Sequence, residues 1–332
     1  MKVRILGLVL SALICSPVSG GSAFAQSTSS PLPDKAAGQS LIAAIQSADT
    51  ALIRSLLEKG SDPTAQDAGG TNALMYASLY AGADCVRLLL ERGADPNAKN
   101  NAGATALIWA AGDPAKVKLL IEKGADPNVR SGAGNTPLIV AALFDKTGAA
   151  VRLLLEKGAD PNARGEKGVT ALMRAAGAGN VDSMAALLAR DAEINAVDQD
   201  GSGALLQAAA NDEPEAVKWL AVHGAHLNAR DRRAQTPLMR AALRDSLTTV
   251  QILLSSNAEV DARDKFGYTA LIWAAQSESG HPEVVKALLD KGADISASGR
   301  DGETALTWAK KRGNTPIVQL LQSRSAKSKE TK

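Results

Sequence analysis

Histidine is the residue most often used for acid–base chemistry and metal binding near neutral pH, and the sequence has three: His223, His226 and His281. The spacing of His223 and His226 could place two imidazoles on one face of a helix. Gly224 lies between them, however, and glycine at this point indicates the end of a helix. No third ligand accompanies the pair, whereas catalytic zinc normally takes three protein ligands. The sequence therefore predicts no metal site and no cofactor.

Motifs of the common enzyme classes are also missing from the sequence. It contains no GxSxG, no HExxH and no P-loop. Carboxylates do recur at Asp95, Asp126, Asp160 and Asp294, each within the word GADPN or its variant GADIS. Aspartate at such a position is typical of a turn, whose backbone N–H groups it caps. We therefore expect no enzymatic activity.

The word GADPN marks an internal repeat. It occurs at 93–97, 124–128 and 158–162, and five altered copies bring the total to eight. A first apolar stretch recurs nine times between residues 34 and 322, at spacings of 31 to 35 residues. An internal repeat of this length is the signature of a solenoid, in which successive units stack to share one core.

Each repeat contains two stretches with helical patterning. The second carries an apolar stripe at positions i, i+3 and i+4, as in Val86, Leu89 and Leu90. The glycine of the repeated word stands where a helix ends in a left-handed residue, and the proline prevents the helix from resuming. The first stretch opens on a residue that can cap a helix N-terminus. The predicted threonine caps are Thr105, Thr136, Thr170, Thr236, Thr269 and Thr304.

With first helices that open as in TPLIVA (136–141) and TPLMRA (236–241), the sequence resembles the ankyrin-repeat family. The resemblance covers residues 34–322 and implies an all-α repeat solenoid, an ankyrin array of about nine helix-turn-helix units with β-hairpin fingers. It also implies that partner proteins contact the fingertips and the exposed face of the first helices, which line a concave groove. Where the family has histidine after Thr-Pro-Leu, this chain has apolar residues such as Met75, Ile108 and Ile139, so we expect apolar packing between repeats.

One group of large apolar residues could line the groove. Tyr76 and Tyr80 are one helical turn apart, and an equivalent apolar pair follows two repeats later. Such a strip could take an apolar peptide or a partner helix. The alternative is that the column of Tyr76, Trp109, Trp273 and Trp308 packs between repeats, as aromatic residues at helical spacing usually do. The predicted groove contacts are Leu79, Tyr80, Leu143 and Phe144.

A second group, around the seventh and eighth fingers, combines basic and aromatic residues. These residue types dominate the energetics of protein interfaces. The alternative is a solvated, salt-bridged surface, since aspartates interleave with them. The predicted contacts are Arg232, Arg233, Gln235, Arg240, Arg244, Lys265, Phe266 and Tyr268.

The two ends of the chain differ in composition from the repeats. Residues 1–25 begin with Lys2 and Arg4, continue in a short apolar run and end in Ala-Phe-Ala, which predicts a cleaved signal peptide. Residues 26–33 are rich in serine and proline and residues 323–332 are polar and basic, so we expect a disordered linker and a disordered tail. The protein is therefore expected to be exported, and either periplasmic or secreted.

The balance of charges excludes some classes of binding partner, and the cysteine content indicates how the fold is stabilised. The predicted signal holds two of the 37 basic residues, which leaves 35 against 35 acidic ones. A neutral chain lacks the basic bias of a nucleic-acid binder, and no apolar run approaches the roughly 20 residues that span a bilayer. We expect no nucleic-acid partner and no membrane insertion. Cys85, the only cysteine outside the signal, is expected to be buried in a monomer that packing alone stabilises.

The leading hypothesis is a non-enzymatic protein–protein interaction module that binds a partner protein through the concave groove and the fingertips. Three alternatives stay open. One is an accessory factor that protects or activates an exported enzyme, and another is a binder of cell-wall or other polysaccharide, which aromatic residues exposed singly along the groove would indicate. The third is an enzyme or metal protein, which would require His223, His226 and a distant acid to converge in space.

Overall fold

The computed structural model describes residues 33–144, 148–277 and 280–330. The predicted signal peptide lies outside these ranges, as does the predicted linker apart from Pro33. The described residues form eighteen α-helices, one short 3-10 helix and no β-strand. The chain divides into two compact units, an N-terminal half that ends at Glu166 and a C-terminal half that begins at Lys167. No described helix is both long enough and apolar enough to cross a membrane.

In the N-terminal half the helices follow one another in pairs. The two helices of a pair pack together, first helices pack on first helices, and second helices pack on second helices. This half is therefore a stack of helix pairs, as the repeat predicts. Its helices are α1 (Pro33–Gln46), α2 (Thr50–Glu58), α3 (Ala73–Tyr80), α4 (Ala83–Glu91), α5 (Ala106–Ala110), α6 (Pro114–Glu122), α7 (Pro137–Phe144) and α8 (Ala149–Glu156).

The C-terminal half is built in the same way. Pairs of helices pack internally and against the next pair, so that this half is also a helical repeat stack. Its helices are α9 (Ala171–Gly177), α10 (Val181–Leu188), α11 (Ala204–Ala210), α12 (Pro214–Val222), α13 (Pro237–Leu243), α14 (Leu247–Ser255), α15 (Ala270–Gln276), α16 (Pro282–Asp290), α17 (Ala305–Lys311) and α18 (Thr315–Glu330).

Threonine side chains cap the helix N-terminus at most of the positions predicted for them. Four of the six predicted threonines accept a hydrogen bond from the backbone N–H three residues later. The prediction is wrong for Thr105 and Thr269, whose buried hydroxyls have no hydrogen-bond partner among the described residues. The backbone at both is extended, as it is at Thr170 where the cap forms. The difference therefore lies in the side chain alone.

Left-handed residues end the second helices, which confirms the role predicted for the repeated glycine. Gly93, Gly124 and Gly158 have φ of 90°, 85° and 84°. Where the glycine is absent, Asp191 and Asn257 adopt φ of 62° and 67° at the same position. Aspartate and asparagine tolerate this region better than other non-glycine residues, so the stop survives the substitution.

The asparagine that closes the word links one repeat to the next. Asn97 donates from Nδ2 to the carbonyl of Gly124 at 2.8 Å and accepts at Oδ1 from the N–H of Asp126 at 2.8 Å. Asn128 makes the equivalent pair of bonds to the repeat that follows. Within the word, Asp126 accepts from the N–H of Asn128 at 2.8 Å, which confirms the predicted turn cap. We call the asparagine contact the inter-repeat clamp.

The fingers are tight turns, and the β-hairpin strands of the prediction are not confirmed. The described residues contain three isolated bridges, such as Gln66 with Asn72, in place of strands. Gly-, Asn- and Asp-rich tips turn too soon for a ladder of several residues to form. Most tips are instead connected to a neighbouring finger by a backbone hydrogen bond, as from the Asn101 N–H to the Gly69 carbonyl at 2.9 Å.

Apolar packing fills the core, including the column where the family carries histidine. Met75, Ile108 and Ile139 are at most 2% exposed. Cys85 is buried, as predicted. At the end of the stack, Lys310 and Gln322 stand where inner repeats have small or apolar residues, and both are exposed. Polar residues there suit a terminal repeat that faces solvent.

The final helix extends further than the sequence suggests. α18 continues to Glu330, so residues 323–330 of the predicted disordered tail are helical. This stretch has no glycine or proline to end the helix, and its arginine, alanine, lysine and glutamate residues favour helix. Arg324 also forms an ion pair with Asp290 of α16, which ties the extension to its neighbour.

Candidate binding surfaces

Three aromatic residues of the N-terminal half, Tyr76, Tyr80 and Trp109, form one connected cluster. The Tyr76 and Tyr80 rings are stacked with centroids 6.3 Å apart, and Trp109 meets Tyr76 edge-on at 6.3 Å. The Tyr76 hydroxyl donates to Asp67 Oδ2 at 2.7 Å. Burial, and then this hydrogen bond, raise the pKa of the Tyr76 phenol well above its usual value. Tyr76 therefore stays neutral and joins the finger to the first helix.

Four half-buried residues beside this cluster form what we call the groove strip: Leu79, Tyr80, Leu143 and Phe144. They lie at the C-terminal ends of α3 and α7. Phe144 packs over the backbone of Gly112, where an added Cβ would lie 3.1 Å from the Phe144 Cβ. The strip thus lies on the first helices of the second and fourth repeats, with part of each side chain open to solvent.

In the C-terminal half, Asp231 organises the seventh finger. Its Oδ1 accepts from the N–H groups of Arg233 and Gln235 at 2.8 and 2.9 Å, and its Oδ2 accepts from Arg240 at 2.6 Å. The Asp231 side chain is only 5% exposed, and its carboxylate forms an ion pair with Arg240, as a buried charge requires. Gln235 is itself buried. Arg240 and Gln235 therefore hold the finger, and we leave both out of the proposed surface.

Tyr268 also belongs to the interior. It is 8% exposed, its hydroxyl donates to Asp301 at 2.7 Å, and its ring meets those of Trp273 and Trp308 edge-on. Burial, followed by the hydrogen bond to Asp301, raises the pKa of the Tyr268 phenol. The same hydrogen bond holds the pKa of Asp301 below its usual value. Tyr268 is therefore a packing residue that joins two neighbouring fingers.

Four further predicted residues of this group, Arg232, Arg233, Lys265 and Phe266, lie at the fingertips and are exposed. The backbone connects them: the Lys265 N–H donates to the Arg233 carbonyl at 2.9 Å, and the Arg300 N–H donates to the Phe266 carbonyl at 2.8 Å. Arg300 was not among the predicted contacts. It stands one repeat after Lys265 at the same tip position, and this column was the signal that could have identified it. We define the fingertip patch as Arg232, Arg233, Lys265, Phe266 and Arg300.

Charges at the fingertips are only partly paired. Arg232 approaches Asp200 at 3.7 Å, with both side chains at least 70% exposed, a contact of little energetic value. The side chains of Arg233, Lys265 and Arg300 form no hydrogen bond or ion pair with the residues that the structure describes. Arg244 is likewise exposed at the end of α13, with no such contact in the described ranges.

The histidines do not come together with an acid in a metal-binding arrangement. His223 stacks on Trp219 with ring centroids 3.7 Å apart, and its Nδ1 lies 2.7 Å from the Trp219 carbonyl oxygen. His281 pairs instead with Asp245, at 2.5 Å between Nδ1 and Oδ2. Across residues 33–144, 148–277 and 280–330, no cluster of histidine, cysteine and acidic residues is placed to hold a metal ion.

The chain matches the family model for ankyrin repeats in three places, over residues 41–131, 111–200 and 205–299. Together these segments cover most of the chain. A search of curated proteins gave no match. Ankyrin repeats are generally protein–protein interaction modules and typically have no enzymatic activity.

Proposed function

We propose, since this chain belongs to the ankyrin-repeat family, that it binds a partner protein through the fingertip patch and the groove strip. The family supports protein binding in general. We choose the two surfaces from side chains that are at least partly exposed to solvent. These side chains are basic and aromatic in the C-terminal half and apolar in the N-terminal half.

The observation that carries the proposal is the exposure of Phe266 among unpaired basic side chains. Phe266 is 55% exposed at the eighth fingertip. Its carbonyl accepts the bond from the next finger, and any residue type could supply that contact. Its ring also lies 6.4 Å from the Tyr268 ring in a tilted contact, which leaves more than half of the Phe266 side chain open to solvent. An aromatic ring bordered by arginines is the composition of an interface hot spot.

The groove strip would add an apolar contact in the N-terminal half. Tyr80 and Phe144 each cover a neighbouring residue with one part of the ring and leave the other part open. A partner helix or apolar segment that covers the open parts would bury further apolar surface, at about 25 cal/mol per Å². We also propose that the protein acts outside the cytoplasm, on the basis of the signal peptide predicted at residues 1–25.

A pair of double variants tests the proposal. Arg233→Ala with Phe266→Ala removes one basic and one exposed apolar side chain from the fingertips. The matched control, Lys218→Ala with Val222→Ala, removes the same chemistry from α12, where both residues are exposed and Val222 is 76% exposed. Quantitative crosslinking mass spectrometry on the exported protein would compare both variants with the wild type.

We expect the fingertip variant to lose a crosslinked partner that the control variant keeps, while both unfold at the same urea concentration. If the two variants lose the partner equally, or neither loses it, the fingertip patch is not the binding surface. The double variant Leu79→Ala with Leu143→Ala then tests whether the groove strip binds the partner.

A further inference from the structure

A cavity of about 710 Å³ lies where the stack begins, between α1 and the second finger, the turn of residues 62–72 that leads into α3. On the α1 side, Ile42 and Ala43 give it a small apolar wall, and no described residue of its walls is basic. We call this cavity the N-terminal pocket. Its walls include Gly38, Ile42 and Ala43 of α1 and Asp62, Ala65 and Ala68 of the second finger.

The tip of the second finger has a backbone donor with no partner. In six later fingertips, a backbone N–H donates to a carbonyl of the finger before it, at 2.7 to 2.9 Å. Ala68 is the equivalent residue, because it follows Asp67 in its turn as the donor Asn101 follows Asn100 in the next one. The Ala68 N–H forms no hydrogen bond with the residues that the structure describes. It is therefore open at the wall of the pocket.

A second backbone donor at the same wall is also open. In five later repeats, the residue equivalent to Asp62 donates its N–H to the clamp position of the preceding repeat, at 2.8 or 2.9 Å. The Asp62 N–H has no such bond within the described ranges. In later repeats both kinds of donor bond to the repeat before them. The N-terminal pocket thus lies on the side where a preceding finger supplies the acceptors.

The residues that precede α1 begin beside this pocket. The motif position of Asn72, the N-cap of α3, corresponds to Gln39, so α1 starts six residues earlier than the repeat requires. Its added turns lie along the second finger, since a Cβ on Gly38 would be 2.8 Å from the Ala65 Cβ. Gly38 is about 7.5 Å into the helix, whereas seven extended residues span up to about 24 Å. Residues 26–32, which lie outside the described residues, can therefore reach the whole pocket.

The chemistry of residues 26–32 fits the open groups of the pocket. The sequence QSTSSPL has no charge, and its hydroxyl and carbonyl oxygens can accept from backbone N–H groups. Pro31 and Leu32 are apolar, as are Ile42 and Ala43 of the wall. A proline follows residue 30 and another follows residue 32, and the residue before a proline favours an extended conformation.

The tether favours this segment over a free peptide. Two hydrogen bonds at an exposed edge and a small apolar contact hold a separate peptide only weakly. A segment joined directly to α1 has an effective concentration on the order of millimolar at the pocket. A contact that is too weak for a partner in solution is therefore sufficient for the chain's own residues.

We infer that residues 26–32 bind in the N-terminal pocket as an extended segment and take the place of a first finger. Oxygen atoms of the segment accept from the N–H groups of Ala68 and Asp62, and Pro31 and Leu32 pack on the α1 wall. The contact covers a backbone edge that would otherwise be open to pairing with another chain. This inference goes beyond the proposed function, because it involves no residue of the fingertip patch or the groove strip.

A photocrosslinking amino acid in place of Ser29 locates the segment in the full chain. The matched control replaces Ser323, an exposed serine near the other end of the chain. We expect position 29 to give adducts within residues 38–46 and 62–68, and position 323 to give none there. Mixing isotopically heavy and light chains distinguishes an adduct within one molecule from an adduct between two.

A pair of substitutions tests the pocket itself. Ala43→Tyr fills the pocket from α1, and Ala51→Tyr adds the same ring at an exposed position of α2. We expect Ala43→Tyr to reduce the position-29 adduct about fivefold and to speed amide exchange at Ala68 and Asp62 about three- to tenfold. Ala51→Tyr should change neither. Urea unfolding shows whether both variants keep the fold.

Three results would overturn the inference. The first is a set of position-29 adducts that scatter over the surface or match those of position 323. The second is adducts that join heavy to light chains, which would place a second copy in the pocket. The third is an adduct yield that Ala43→Tyr and Ala51→Tyr lower equally. If Ala43→Tyr does not fold, the adduct map from position 29 decides the question, because it leaves the pocket residues unchanged.

Discussion

Replacing Asn128 by alanine should show how much one inter-repeat clamp contributes to stability. The Asn128 side chain donates to the Gly158 carbonyl at 2.8 Å and accepts from the Asp160 N–H at 2.9 Å. A hydrogen bond contributes about 0.5–1.5 kcal/mol net, and both of these are exposed to solvent, which favours the lower end. We expect Asn128→Ala to lower the free energy of unfolding by about 1–2 kcal/mol.

The chain supplies its own graded controls for this prediction. Asn228 accepts one bond, from the Glu259 N–H at 2.8 Å, so Asn228→Ala should cost about half as much. Asp261 accepts from the Asp294 N–H at 2.9 Å, but a carboxylate cannot donate to a carbonyl. Asp261→Asn restores the donor and should therefore stabilise by about 0.5–1 kcal/mol.

Urea unfolding followed by far-UV circular dichroism measures all three variants, and amide hydrogen exchange locates the change. For Asn128→Ala, exchange should accelerate around residues 124–165 before it does elsewhere in the N-terminal half. Equal losses for Asn128→Ala and Asn228→Ala, or a loss for Asp261→Asn, would refute the idea that the two-bond clamp joins the repeats.

Three further changes test the interior of the fingers. Gly299→Ala should lower the free energy of unfolding by about 1–3 kcal/mol, because an added Cβ would lie 2.2 Å from the Tyr268 ring. Asn100→Asp should raise it by about 0.5–1.5 kcal/mol, because the buried Trp109 indole N–H has no partner among the described residues and the equivalent aspartate of a later repeat accepts from its tryptophan. Tyr268→Phe should make the free energy of unfolding less dependent on pH in the acid range. The Tyr268 hydroxyl lowers the pKa of Asp301. The hydrogen bond between them therefore contributes fully to stability above the ordinary aspartate pKa, and this contribution is lost as pH falls through the lowered pKa.

Each of these changes has its own check. Gly82→Ala, at a helix N-cap with φ of −76° and no atom within 4 Å of the added Cβ, has only the cost of a poorer cap and should destabilise less than Gly299→Ala in the same urea titration. A comparable loss there would mean that steric overlap is not the cause at Gly299. Asn100→Asp must not destabilise, and the melting temperature of Tyr268→Phe must vary less than the wild type's across a calorimetric pH series in the acid range.

Local rules explain why the helices and their ends could be predicted from the sequence. The φ of 90° at Gly93 and the turn cap by Asp126 depend on the residue and its near neighbours. Such requirements are visible in residue type and spacing. The inter-repeat clamp was not predicted from the sequence, because the hydrogen bonds of Asn97 reach into the next repeat. An asparagine that recurs in a turn motif gives no sign of such a contact.

The binding surfaces were harder to predict because burial at the fingers depends on how each finger folds back on its helix. Asp231 and Arg240 look like surface charges nine residues apart, yet they form one buried pair. Tyr268 resembles an exposed interface aromatic but packs against the next finger at Gly299. Phe266, two residues earlier, has the same sequence context and is exposed. Residue type alone does not distinguish these two neighbours.

A photocrosslinking amino acid at position 266, compared with one at position 222, tests the central claim most directly. Both positions hold exposed apolar residues of the C-terminal half, one at a fingertip and one on α12. Protein binding at the fingertip patch predicts a discrete crosslinked partner from position 266 and none from position 222. The same adduct from both positions, or no protein adduct from position 266, would contradict it.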